Sequence, residues 1–165
     1  MHAFDTAGWS GFFTAMVGAS AALTGLLFVA VALNLDHILK GPTFLPSRAA
    51  ETLATLLFVL YCSALVLVPQ DIRLLGAEIL VAVVPLLVLT LRSQLHTRAE
   101  RPDDPLLWSI SRITATMIAI VPGLVAGISL AAHVGGGIYW LVPTAILGVT
   151  GAVYNAWVLL VEIVR

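Results

Sequence analysis

The sequence predicts an all-α polytopic membrane protein. It reads as one domain of five transmembrane helices, with the N-terminus outside and the C-terminus in the cytoplasm. Three observations predict this. Of 165 residues, 60% are hydrophobic and only 10% charged, with a mean hydropathy of +1.04, whereas a soluble domain carries about 25% charge. The apolar residues gather into five runs, each near the roughly 20 residues that a spanning helix needs. The eight Lys and Arg residues are also unevenly placed. Lys40, Arg48, Arg92, Arg98, Arg101, Arg112 and Arg165 share one set of segments, Arg73 alone lies in the other, and basic excess marks cytoplasmic loops.

The spans are expected at 11–35, 50–69, 72–91, 113–133 and 138–164. None shows the period-2 alternation of a barrel strand, and backbone in lipid must then be satisfied within a helix. Between them, residues 36–49 contain Gly41, Pro42 and Pro46 and read as a broken loop. Gln70 and Asp71 form a tight turn after Pro69. Residues 92–112 are the longest polar segment, with Pro102 and Pro105 around Asp103 and Asp104. Gly135, Gly136 and Gly137 form a minimal flexible hairpin. Trp9 and Trp140 fall at the expected outer interface, and Trp108 and Trp157 near the inner one, as tryptophan prefers. No basic region precedes the first run, so no cleavable signal is expected.

Three spans carry rows of small residues, which let helix backbones approach where water supplies no hydrophobic drive. Span 1 has Gly11, Ala15, Gly18, Ala22 and Gly25, continued by Ala32. Span 4 has Ala119, Gly123, Gly127 and Ala131, beside Pro122, which is expected to kink the helix. Span 5 has Thr144, Gly148, Gly151 and Asn155. These rows read either as packing within one bundle or, for at least one of them, as contact between copies in a homo-oligomer.

Polar groups inside spans are few, and intramembrane ionisable residues are functional candidates. Glu78 lies near the outer end of span 3, with Arg73 expected as its ion-pair partner. Asn34, Glu51, Asn155 and Glu162 are expected to form a polar cluster at the inner end, as a gate, vestibule or docking face, or simply as interhelical hydrogen bonds. Pro85, Pro122 and Pro143 lie within spans, where broken helices can expose carbonyls.

Other chemistry finds little footing. The single cysteine, Cys62, excludes an intramolecular disulfide. His2, His37, His96 and His133 provide no facing pair for haem and no metal motif, so no metal and no cofactor is expected. Ser129 and His133 are one turn apart, but no carboxylate orients the imidazole, and serine-to-backbone bonding is the expected use. Lys40 is the only lysine and lies in a loop, so no retinal Schiff base is expected inside the bundle. A net charge of -1 argues against nucleic acid. No catalytic constellation emerges.

The sequences WSGFFT at 9–14, GASAALTGLLFVA at 18–30, YWLVP at 139–143 and NAWVLLVEI at 155–163 resemble small bacterial integral membrane proteins frequent in actinobacteria. Some of those relatives are labelled modulators of the membrane protease FtsH. The resemblance implies a bacterial inner-membrane location and no catalytic or binding residues. The reading is therefore a non-enzymatic, homo-oligomeric structural or regulatory subunit in the lipid bilayer, contacting a membrane-protein partner. The alternative is a small homo-oligomeric channel or transporter.

Overall fold

The computed structural model describes residues 3–40, 44–100 and 106–164, with side chains described for 3–40, 45–95 and 117–158. It is all-helical, and no strand occurs among the described residues. The helices are α1 (Ser10–Leu33), α2 (Leu35–Lys40), α3 (Phe44–Leu67), α4 (Ile72–Glu100), α5 (Leu106–Ala132) and α6 (Leu141–Val164); short 3-10 turns precede α1 and α6. Among the described residues, four segments are long and apolar enough to cross a membrane: Ala7–Leu33, Leu45–Leu67, Ile72–Leu95 and Gly137–Val158. Within α5 the apolar stretch described is the shorter Met117–Ala132.

Helices α3, α4, α5 and α6 form a closed ring in which each packs on the next and α6 returns to α3. Helix α1 lies outside the ring, chiefly against α3, and touches α6 only lightly. One end of the bundle holds the α3–α4 and α5–α6 turns and the start of α1. The other holds α2, the start of α3 and the end of α4. The main core joins Phe13, Phe58, Cys62, Leu75, Ile79, Val83, Ile120, Leu130, Ile138 and Leu141.

Helices α3, α4 and α5 extend well beyond the expected spans at the α2 end. The supposed broken loop at 36–49 is largely helix: Leu35–Lys40 forms α2, and α3 starts at Phe44. Pro46 sits in the first turn of α3, where its missing N–H costs nothing. The polar segment 92–112 is likewise mostly helical, since α4 runs to Glu100 and α5 begins at Leu106; residues 101–105 lie outside the described set. Hydropathy marks where a helix meets lipid, not where it stops. Pro143 occupies the first turn of α6 rather than its interior, whereas Pro85 and Pro122 lie inside α4 and α5.

The glycine hairpin is a built corner. His133, Gly135 and Gly137 have positive φ of 56°, 84° and 50°. The Ser129 hydroxyl accepts from the Gly137 N–H at 2.8 Å and donates to the Val134 carbonyl. The N-terminal segment is tied to the same corner. Ile138 N–H donates to the Ala3 carbonyl at 2.9 Å, and Phe4 stacks on His133 at 4.2 Å. Trp9 meets Tyr139 edge-on at 4.9 Å. A Cβ at Gly137 would lie 2.1 Å from the Ala3 oxygen, so no larger residue fits.

Candidate functional site

The small-residue rows divide into two kinds. In α5, a Cβ on Gly123 would meet the Phe58 ring at 3.0 Å, and one on Gly127 would meet Leu80 at 2.8 Å. In α6, a Cβ on Gly148 would lie 2.6 Å from Val59. These glycines are the close contacts that hold the ring together. Gly76 in α4, which belongs to no row, makes a tighter helix-to-helix approach than any of these: its Cβ would be 2.3 Å from the Ala131 backbone nitrogen and 2.8 Å from the Gly127 oxygen.

The α1 row has no such neighbours. A Cβ on Gly11, Gly18 or Gly25 would meet nothing within 4 Å. Ala15, Ala22 and Ala32 are exposed with them. The buried residues of α1 are Phe13, Ser20 and Leu27, each two positions after a glycine of the row. Two positions turn a helix by about 200°, so α1 buries the opposite face and presents its glycines outward.

Polar residues collect inside the ring at the α2 end. Arg48 and Glu51 of α3 are 7% and 4% exposed, and Gln94 of α4 is 8% exposed. Each of the three has a polar or electrostatic partner, as charge removed from water requires. Thr52 and Thr55 donate to the Arg48 and Glu51 carbonyls at 2.8 and 2.9 Å. Thr90 is fully buried, and its hydroxyl has no hydrogen-bond partner among the described residues.

The expected inner cluster is therefore split. Asn155 lines a cavity of about 10 Å³ with Thr52, Thr55, Gly148 and Gly151, and Glu51 is buried on α3. Asn34 instead donates to the Ala30 carbonyl of its own helix at 2.9 Å and lines a separate groove between α1 and α6. The side chain of Glu162 lies outside the described residues, as do those of His96, Trp108 and Arg112.

At the other end, Glu78 accepts from Gln70 Nε2 at 3.0 Å, and the same amide group donates to the Leu65 carbonyl at 3.2 Å. Arg73 is exposed, so the polar partner observed for Glu78 is the turn glutamine. Five helical positions separate Arg73 from Glu78, about 140° apart around the axis, whereas side chains meet at spacings of three or four. Gln70 precedes α4 and reaches Glu78 from the turn.

Ser129 bonds within the corner and His133 stacks on Phe4. Pro85 is exposed, and neither Pro85 nor Pro122 lines the groove or the small cavity. No group of three metal-ligating side chains occurs among the described residues. No family model, no curated protein and no solved structure matches the chain.

Proposed function

We propose that this chain is a non-catalytic, five-span subunit of the bacterial inner membrane that associates with itself through the glycine face of α1. The observation that carries the reading is the contrast between glycine rows. Gly123 and Gly127 of α5 and Gly148 of α6 are met by neighbours in the same chain, while Gly11, Gly18 and Gly25 meet nothing. Lipid tails do not favour a small-residue face over any other apolar face, but another helix gains close packing there. The seven-residue glycine spacing suits a left-handed crossing of two α1 helices.

The fifth span in this reading is α5, whose helix runs Leu106–Ala132 and matches the apolar sequence at 113–133. The basic excess in the segments expected at the α2 end supports a cytoplasmic location for that end. The subunit's role is structural or regulatory, with a partner protein engaging the cytoplasmic ends of α4 and α5. The cavity at Asn155 is only about 10 Å³, which supports a packed interior there over a solute path.

The experiment is a mass measurement of the solubilised protein, comparing the wild-type chain with Gly18→Leu. An oligomer that falls to monomer in the variant, with helicity retained, supports the reading. A wild-type monomer, or an oligomer indifferent to Gly18→Leu, opposes it.

A further inference from the structure

We propose that the small cavity between α3 and α6 is a binding site for a single ordered water that bridges Asn155 to Thr52 and Thr55. The cavity is about 10 Å³, close to the roughly 10–15 Å³ that one water needs. Its polar side chains are Thr52 and Thr55 of α3 and Asn155 of α6, and the rest of the lining is apolar or glycine. Thr52 and Thr55 are 1% and 8% exposed. They stand three positions apart, on one face of α3.

The occupant follows from the balance of donors and acceptors. A hydroxyl offers one donor and two acceptor positions. The Thr52 and Thr55 hydroxyls commit their donors to the Arg48 and Glu51 carbonyls of their own helix, which leaves acceptor positions on both. The Asn155 side chain offers two donors and a carbonyl oxygen, and it makes no hydrogen bond among the described residues. All three residues lie in segments apolar enough to cross a membrane, where an unsatisfied polar group is costly. A water satisfies both helices, because it donates to the two threonine oxygens and accepts from the asparagine amide. Three such partners are the usual number for a buried water. A cation fits less well, since no charged side chain lines the cavity and a buried charge requires a counter-charge. The bridge joins α6 to α3, the contact that closes the ring. It is independent of the α1 contact between copies.

Solid-state NMR tests it on the full chain in phosphatidylglycerol bilayers, through magnetisation transfer from water to side-chain amides. Asn34 and Asn155 are the only asparagines, so asparagine labelling gives two signals. Asn34, bonded to the Ala30 carbonyl, serves as the reference. The expected result is transfer from water to the Asn155 amide in the wild-type chain. Thr52→Val combined with Thr55→Val keeps side-chain shape, lowers that transfer several-fold and leaves Asn34 unchanged. Thr55→Val alone lowers it by a smaller factor, so the test stands even where the double variant does not fold. Exchange of sodium and potassium for choline leaves the wild-type signal unchanged. The proposal is overturned if the wild-type Asn155 amide receives no transfer, or if the threonine variants keep it in full. A signal that collapses when the small cations are removed also overturns it, because the occupant is then an ion.

Discussion

Gly76 of α4 and Ala131 of α5 pack backbone against backbone: a Cβ on Gly76 would stand 2.3 Å from the Ala131 nitrogen. The contact joins two neighbouring members of the ring, and backbone atoms cannot swing aside as a flexible side chain can. Gly76→Ala should therefore destabilise the fold by about 1–3 kcal/mol, the usual range for overpacking. Thermal unfolding in detergent reads this, with Gly25→Ala as the comparison, because a Cβ there meets nothing. Equal melting temperatures for the two variants contradict the packing described.

The α5–α6 corner depends on one hydroxyl. Ser129→Ala removes both the acceptor of the Gly137 N–H and the donor to Val134, leaving a buried amide without its partner. The expected cost is about 1–3 kcal/mol. Hydrogen exchange at Gly137 should accelerate together with the loss of stability, and unchanged protection there opposes the assignment.

Gln70 and Arg73 offer a direct comparison for Glu78. Gln70→Leu should lower stability by about 1 kcal/mol through loss of the bonds to Glu78 and Leu65. Arg73→Gln should change it by less than about 0.5 kcal/mol, as for an exposed surface residue. The reverse order would restore the ion pair as the dominant interaction.

Thr90 invites a stabilising change. Its hydroxyl is buried without a partner among the described residues, so Thr90→Val removes an uncompensated polar group at nearly constant shape. Stability should rise by about 1 kcal/mol. A fall in melting temperature would show that the hydroxyl has a partner in the membrane-embedded protein.

Much of the fold was legible because lipid imposes a coarse rule. Apolar runs of spanning length become helices, and those around Gly18, Cys62, Val83 and Leu147 did so. The helix ends were less legible: Asp36, Arg92 and Glu100 are polar yet helical, and hydropathy registers polarity rather than backbone geometry. The α5 and α6 rows were legible as packing faces within the chain, but that the α1 row faces outward was not. Gly18 and Gly127 look alike in sequence, since protein interior and lipid are equally apolar and hydrophobicity cannot separate them. Gly76 was missed because it stands alone in its helix. The inner polar cluster was grouped by depth, which the sequence gives, but Asn34 and Asn155 differ in azimuth, which it does not.

The α1 glycine face is the central claim, and disulfide crosslinking in intact membranes tests it most directly. With Cys62, the single native cysteine, replaced by alanine, single cysteines are introduced at Gly18 and, for comparison, at the buried Ala126 of α5. Oxidation should yield a covalent dimer with Gly18→Cys and none with Ala126→Cys. A chain that stays monomeric with Gly18→Cys under conditions where other exposed positions crosslink would contradict the account.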